Sequence, residues 1–288
     1  MTTTIKVDNF IPTYDKLLGR TIIINGITGS GKTTMLTNLL YAMSGKIDAA
    51  YLFSETADMT GDFDGIIHPA CIFDKFNESV LVSIVNRQQA ILLKLREMGR
   101  TDLWKNFNVV IILDDFSTDA ATWRSSKQVI KLATQSRHYN ITFIIAVQYL
   151  MTCPPLLRQN ARLIFATSLT SDGEINVFYR ECWNVALGKK NVCTQFIESI
   201  ITGKGEFIVV INEAIDSNAK ALYRCKSKML TDEQRASIRL YNDRNIRRIK
   251  KVYIDDWQKL LLQNKDRTKK IDPKNINIVI ASENENDE

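Results

Sequence analysis

The sequence predicts an α/β fold in which helices cover both faces of a central, mostly parallel sheet. Three observations support this fold class. Short apolar runs without polar alternation, such as 109–113, are typical of parallel strands buried on both faces. Amphipathic segments alternate with these runs, which indicates parallel strands joined by helical crossovers. A glycine-rich turn at 26–31 connects the first apolar run to the first long helix.

The individual elements follow from hydrophobic periodicity and from turn residues. Strands are expected at 21–25, 49–53, 108–113, 141–147 and 162–166, followed by a terminal hairpin of strands 205–212 and 219–225. Helices are expected at 32–43, 77–98, 123–136 and 231–263. In the helix 77–98, Ile84 and Leu95 lie on the apolar face, and Arg87 is expected to point outward.

Length and composition limit the class of protein. A chain of 288 residues fits one large domain with an extension. We predict an N-terminal arm at 1–20, a main domain at 21–230 and a basic, mainly helical extension at 231–288 that ends in an acidic, disordered tail. The apolar stretches are too short to cross a bilayer, and neither a signal peptide nor a membrane partner is expected. Five widely spaced cysteines indicate reduced thiols, and with two histidines in the chain a zinc site is not expected.

A phosphate-binding loop is predicted at 26–33, where GITGSGKT matches the pattern GxxxxGK[ST] in full. The glycines let the backbone curl so that successive N–H groups point at phosphates, and the helix N-terminus adds partial positive charge. Lys32 is expected to reach the β- and γ-phosphates, and Thr33 to offer its hydroxyl to Mg²⁺. The residues predicted to bind the nucleotide are Gly26, Ile27, Thr28, Gly29, Ser30, Gly31, Lys32, Thr33 and Thr34.

Two adjacent carboxylates follow the buried strand 108–113, at the sheet edge where ligands of open α/β folds bind. Asp114 is expected to hold Mg²⁺ through water, and Asp115 to act as general base towards the attacking water. A strand followed by an Asp-rich turn is the alternative interpretation, which the nearby phosphate-binding loop disfavours.

Three further polar residues are candidates for catalysis. Gln148 follows the fourth strand and could sense the γ-phosphate, or it could simply end a buried strand. Arg137 and Arg158 flank the same strand, and either could be an arginine finger that a neighbouring subunit inserts. A surface arginine or a salt bridge is the alternative for each of them.

Positive charge is concentrated near the C-terminus. Residues 235–270 contain twelve Lys/Arg and four Asp/Glu, whereas the rest of the chain contains 26 and 28. Such a segment could neutralise DNA phosphates without reading base sequence. A solvated helix face or a subunit contact is the alternative.

Together these motifs resemble the poxvirus-type DNA-packaging ATPases of large DNA viruses and virophages, which belong with the FtsK/HerA-like translocases. The likeness covers about 21–225 and rests on the phosphate-binding loop, on Asp114 and Asp115, on Gln148, and on the motifs SRH at 136–138 and PPLLRQN at 154–160. The resemblance implies a P-loop NTPase of the additional-strand catalytic-acid division, with sheet order 5-1-4-3-2. Asp115 is one methylene shorter than the Glu of many hydrolytic relatives.

The resemblance also implies a function. It implies an ATPase with ATP and Mg²⁺ as cofactors, which drives double-stranded DNA into a preformed capsid as a ring of five or six identical subunits. Capsid or portal-vertex proteins would be its partners, and the virion or the host cytoplasm (viral factory) would be its location. A small-molecule or nucleoside kinase is the alternative from another class, although no arginine-dense lid lies between Asp115 and Gln148. A nucleotide-switched assembly protein is the third possibility.

Overall fold

A nine-stranded sheet with helices on both faces organises the chain in a computed structural model that describes residues 5–115, 120–183, 187–212 and 221–240. The strands are β1 (Asp8–Asn9), β2 (Thr21–Asn25), β3 (Ala49–Ser54), β4 (Ile72–Phe73), β5 (Val109–Asp114), β6 (Ile141–Val147), β7 (Leu163–Ala166), β8 (Glu206–Ile211) and β9 (Ala221–Lys226). The helices are α1 (Tyr14–Leu17), α2 (Lys32–Ala42), α3 (Ala57–Thr60), α4 (Glu78–Glu97), α5 (Ala120–Ser125), α6 (Lys127–Gln135), α7 (Pro155–Asn160), α8 (Asp172–Glu181), α9 (Lys190–Ile200) and α10 (Asp232–Ala236).

The five central strands confirm the predicted topology. They lie in the order β7-β2-β6-β5-β3, and every neighbouring pair among them is parallel. Counted along these five strands, this is the order 5-1-4-3-2. The predicted hairpin is also confirmed, because β8 and β9 pair antiparallel and β8 extends the sheet antiparallel to β7. The short strands β4 and β1 add parallel edges next to β3 and β9.

Both faces of the sheet are covered, as the unbroken apolar strands predict. Alternate residues of β2 enter different cores: Ile23 lies in one cluster, and Ile22 and Ile24 lie in the other. The first cluster is completed by residues of α4, α6, α8 and α9, and the second by residues of α2. A strand with water on neither face is apolar over most of its length, which explains the nearly continuous apolar sequences of β2, β5 and β6.

Helix α4 is fixed by a cap at its N-terminus and by an ion pair with a buried aspartate. Asn77 caps it by accepting hydrogen bonds from the backbone N–H groups of Ser79 and Val80. The expectation that Arg87 points outward is wrong. Its guanidinium Nη2 lies 2.9 Å from Asp48 Oδ2, and the side chain of Asp48 is only 2% exposed. The buried carboxylate requires a partner, which the arginine on the helix supplies.

Two predicted helices differ in the structure. The helix expected at 123–136 is two helices, α5 and α6, separated at Ser126. The Ser126 hydroxyl accepts from Val129 N and so caps α6, and it donates to Glu78 Oε1 at 2.7 Å. In the predicted helix 231–263 the short helix α10 ends at Ala236, and Ile238 and Leu240 then pack into the core beside α2. Residues 241–288 lie outside the described residues.

The N-terminal residues contribute to the same sheet and core. Strand β1 pairs with β9, and Phe10 and Leu17 are buried in the cluster beside α2. All five cysteines are buried and free of disulfides. Among the helices of the described ranges, none combines the length and the apolar character needed to span a membrane.

Candidate nucleotide-binding site

The predicted phosphate-binding loop connects the end of β2 to the start of α2, at the carboxyl edge of the parallel strands. Gly29 and Gly31 have φ of 78° and 103°, in the left-handed region that favours glycine. Gly26 has a different reason to be glycine: a Cβ there would lie 2.4 Å from Ser30 Oγ and 2.5 Å from Thr167 Cγ2. The shape of the loop therefore requires glycine at these three positions.

Other parts of the chain hold this loop in place. Gly26 N donates to Val147 O at the end of β6, at 3.0 Å. On the opposite side, Gly205 N donates to Ser30 O at 2.9 Å, just before β8. A Cβ on Gly31 would lie 3.0 Å from Gly205 Cα, so the segment before β8 packs directly against the loop. The crest of the loop at 27–29 is exposed.

Lys32 is the buried cation of the site. Its side chain extends back over the loop, and Nζ donates to Gly26 O at 2.5 Å. Burial lowers its pKa, and the charges of Asp115 and Asp114 oppose this shift. A desolvated ammonium of this kind is stabilised by added negative charge, such as that of a phosphate group.

The observed groups fit a nucleoside triphosphate. Ser30 Oγ is buried and has no hydrogen-bond partner among the described residues, so it is free to bond a ligand. The N-terminus of the eleven-residue helix α2 would add the backbone N–H groups of its first turn, which have no acceptor within the helix itself. Thr33 and Thr34 start this helix and are half-buried, and Thr34 Oγ1 lies 3.7 Å from Met229 Sδ.

Two carboxylates lie at the end of β5, as the sequence predicts. Asp114 is nearly buried, and its pKa is raised to about 7, first by burial and then by the charge of Asp115, while Lys32 lowers it. A buried carboxylate that is reluctant to ionise suits a divalent cation, because the cation would stabilise its charged form. The oxygen ligands Asp114 and Thr33 therefore fit Mg²⁺, which prefers carboxylate and hydroxyl oxygens.

Asp115 has an unusual backbone and a fixed side chain. Its φ of 51° lies in the left-handed region, where a residue other than glycine is strained. Its N–H donates to Ala146 O at 3.2 Å, which ties the turn to β6. The side-chain amide of Gln148 donates to both carboxylate oxygens, at 3.0 and 3.1 Å. The two residues that sequence reasoning proposed separately are thus direct partners.

Glu174 on α8 is a further buried carboxylate of this region that sequence reasoning missed. It is 1% exposed, and it accepts hydrogen bonds from Leu150 N at 2.7 Å and Met151 N at 2.9 Å. It also lies 3.4 Å from Asn25 Nδ2 at the end of β2. A glutamate in the first turn of a helix is common, so its sequence context carries no signal of this role.

Arg158 is not presented to a neighbouring subunit. It is 5% exposed, and Nε and Nη2 each donate to Glu181 at 2.6 Å. Its Nη1 donates to the carbonyl groups of Leu150, Met151 and Cys153. The hydrogen bond to Glu181 is the largest cause of a raised pKa. Because its guanidinium is engaged inside its own chain, Arg158 forms an internal salt bridge, which was the alternative to an arginine finger.

Arg137 is exposed and lies at the other edge of the sheet. It belongs to a 3₁₀ turn, Ser136–Tyr139, that directly precedes β6, whereas Gln148 follows β6. Seven residues of strand separate the two edges by about 20 Å at about 3.3 Å per residue. An open cavity of about 690 Å³ at this edge is lined by Arg20, Arg137 and Arg162 among others. Arg137 therefore cannot act on a nucleotide bound to its own loop.

Comparison with solved structures supports the fold. The conjugation coupling protein TcpA of pCW3, solved as a monomer with ATPγS, aligns with a TM-score of 0.52 and 13% identity over 84% of this chain and 65% of that chain. At this identity the likeness concerns the fold alone.

Relatives in sequence come from viruses. Protein 015R of Frog virus 3 (isolate Goorha) is 29% identical over 163 residues, which is 57% of this chain and 47% of that protein. Protein 075L of Invertebrate iridescent virus 6 is 26% identical over 166 residues, which is 58% of this chain and 61% of that protein. The chain spans about half the length of the curated relatives it matches.

A protein-family model also matches the chain. The model described as "Poxvirus A32 protein" covers residues 13–248 and so includes the phosphate-binding loop, both aspartates, Gln148 and Arg137. It extends over most of the chain, and therefore the chain belongs to the Poxvirus A32 protein family.

Proposed function

We propose that this protein is an ATPase that drives double-stranded DNA of a viral genome into a preformed capsid. One observation carries the proposal: the phosphate-binding loop between β2 and α2 lies at the same edge of the sheet as the two carboxylates that follow β5, one of which is held by Gln148. Membership of the Poxvirus A32 protein family supports the viral role. The sequence resemblance to packaging ATPases supports DNA as the substrate that is moved.

The site contains the groups that hydrolysis needs. Lys32 and the N–H groups of the loop would hold the phosphates of ATP, and Thr33 and Asp114 would hold Mg²⁺, which neutralises charge on the β- and γ-phosphates. Asp115 would accept a proton from water as the water oxygen attacks the γ-phosphorus. The bond from that phosphorus to its bridging oxygen then breaks, and its electrons leave with ADP. Gln148 would keep the carboxylate of Asp115 directed at the water.

The position of Arg137 supports a ring of identical subunits. This exposed arginine lies at the edge opposite the phosphate-binding loop of its own chain, so as an arginine finger it would serve a nucleotide bound to another subunit. A guanidinium placed in this way would neutralise charge that develops on the γ-phosphate. A closed ring of five or six copies would give each site one such arginine.

The DNA contact is assigned to the basic residues of 235–270. Most of this segment lies outside the described residues, and the assignment therefore rests on its excess of positive charge. Lysines and arginines that neutralise phosphates would bind DNA of any sequence, and their affinity would fall steeply with salt. A motor that packages a whole genome requires binding of this kind. The capsid vertex would be its docking partner, and the virion or the viral factory its location.

An ATPase assay with and without long double-stranded DNA tests the proposal. We expect Mg²⁺-dependent hydrolysis that rises with DNA and loses this stimulation as salt increases. Lys32→Ala should abolish turnover, and the mass of the assembled particle should correspond to five or six subunits. Phosphate transfer to a nucleoside without DNA stimulation would identify a kinase instead. Nucleotide binding with very slow turnover, with or without DNA, would identify a switch protein.

A further inference from the structure

We propose that Glu174 and Arg158 are positioning residues that hold the turn after β6, and that through Gln148 they set the orientation of Asp115. The inference rests on the proposed function, because it concerns the hydrolytic step. It assigns a purpose to two buried charged side chains that the hydrolytic chemistry does not use. The turn in question, named here the Gln148 turn, comprises residues 148–153 and includes the short 3₁₀ segment Leu150–Thr152.

The N–H groups of the Gln148 turn are held by Glu174. One carboxylate oxygen accepts from Leu150 N at 2.7 Å, and the other accepts from Met151 N at 2.9 Å. Hydrogen bonds from N–H groups to an ionised carboxylate are about twice as strong as those between neutral groups. Because Glu174 is only 1% exposed, water does not compete for these bonds.

The carbonyl groups of the same turn are held by Arg158. Its Nη1 donates to the carbonyl oxygens of Leu150 and Met151, at 3.4 and 3.3 Å, and to that of Cys153. Glu181 fixes the guanidinium from the other side with two hydrogen bonds of 2.6 Å. The planar fork of arginine suits this arrangement, whereas lysine would provide only a point charge.

The carboxylates of Glu174 and Glu181 both belong to helix α8. Glu174 and Glu181 lie on helix α8, two turns apart and therefore on about the same face. Val177 and Phe178, between them in sequence, are buried in the hydrophobic core, so the helix has a fixed position against the sheet. Helix α8 thus holds the Gln148 turn directly through Glu174 and indirectly through Arg158.

The hydrogen bonds around the Gln148 turn also include β2, the strand that leads into the phosphate-binding loop. Asn25, the last residue of β2, donates from Nδ2 to Gln148 O at 3.2 Å and lies 3.4 Å from Glu174 Oε2. From Gln148 the connection continues through the side-chain amide to both oxygens of Asp115. Glu174 thus contacts both Asn25, which directly precedes the phosphate-binding loop, and the Gln148 turn, which holds Asp115. One buried carboxylate therefore connects the two sides of the candidate site.

This arrangement predicts a specific kinetic defect. In Glu174→Gln, one oxygen is replaced by an NH₂ group that faces a backbone N–H, so part of the support is lost while the volume is kept. We expect kcat to fall about 10- to 100-fold, because a small misplacement of a catalytic group has effects of this size. The KM for ATP and the binding of a fluorescent ATP analogue should change less than about 3-fold, because the phosphate-binding loop is intact. Glu198→Gln, at an exposed glutamate of α9, is the matched control and should leave both parameters unchanged.

A double-mutant cycle separates positioning from general damage. If Glu174 acts through Gln148, then Glu174→Gln should lower kcat by less than about 2-fold in a Gln148→Ala background. Equal effects in both backgrounds would overturn the proposal, and so would an unchanged kcat in the single variant. Arg158→Lys, which keeps the charge but not the fork, provides a second variant if Glu174→Gln does not fold, and it should give the same pattern. Wild-type turnover that does not require Lys32 would instead contradict the proposed function itself.

Discussion

The side-chain amide of Gln148 donates to both carboxylate oxygens of Asp115, across the ends of two neighbouring strands. Neither residue is close to the other in sequence, and the parallel register of β5 and β6 is what brings them together. Asp115 has a strained backbone, and its side chain depends on this contact for a defined orientation. We therefore expect the pair to act as one unit rather than as a base and a separate phosphate sensor.

Removal of the amide is the direct test of this unit. We expect Gln148→Ala to lower kcat for ATP hydrolysis about 10- to 100-fold through loss of orientation, with little change in KM. Gln148→Glu should be worse, because it places a second negative charge beside Asp115. Steady-state kinetics with Gln195→Ala as control, at an exposed glutamine of α9, measures the difference. A raised KM with normal kcat would show that Gln148 contributes to binding instead.

The phosphate-binding loop makes a steric prediction. Gly26→Ala introduces a methyl group where Ser30 Oγ and Thr167 Cγ2 already lie, so the loop must shift. We expect affinity for ATP to fall at least about 10-fold, as measured by titration with a fluorescent analogue. Gly203→Ala is a suitable control, because a Cβ there meets no atom within 4 Å. Equal affinity in the two variants would mean that the glycine serves some purpose other than loop shape.

Arg137 predicts a defect that spreads between subunits. Arg137→Ala should reduce ATP hydrolysis by about 10³-fold or more if this arginine serves the neighbouring nucleotide. Mixed with wild-type protein before assembly, the variant should lower activity more steeply than its molar fraction. Arg96→Ala, at an exposed arginine of α4, is the control. Activity strictly proportional to the wild-type fraction would exclude a role in trans.

The ion pair between Arg87 and Asp48 predicts a loss of stability. In Arg87→Met the carboxylate of Asp48 stays buried and loses its guanidinium partner. We expect the free energy of unfolding to fall by about 3 kcal/mol, near the lower end for a buried pair, because the arginine is partly exposed. Urea unfolding against Arg96→Met on the same helix provides the comparison. A difference below about 0.5 kcal/mol would show that Asp48 is satisfied without Arg87.

Local sequence was sufficient for the elements whose signal lies in neighbouring residues. The apolar runs of β2, β5 and β6 predict the sheet, and the glycines of the phosphate-binding loop predict the position of the candidate nucleotide-binding site. The break at Ser126 was missed, because the apolar periodicity continues across it and the serine caps α6 only in the folded chain. Strand β1, with two residues, is too short to leave a periodic signal.

The sequence did not predict which charged residues form ion pairs with one another. Arg158 and Glu181 are 23 residues apart, and nothing in the motif around Arg158 shows that its guanidinium turns inward. An arginine near an active-site strand has the same sequence signature whether it serves a neighbour or its own chain. The distinction depends on burial, which is a property of the tertiary structure.

The separation of Arg137 from the phosphate-binding loop also limits how copies can associate. In a two-fold dimer the amino edge of each sheet would contact the carboxyl edge of the other, so both contacts would form together and leave no free edge for a third copy. A head-to-tail association through these edges is polar instead, and each added subunit leaves one free edge of each kind. Whether the assembly closes or grows into a helical filament then depends on the rotation between successive subunits, and a small change at that contact would be enough to convert one into the other.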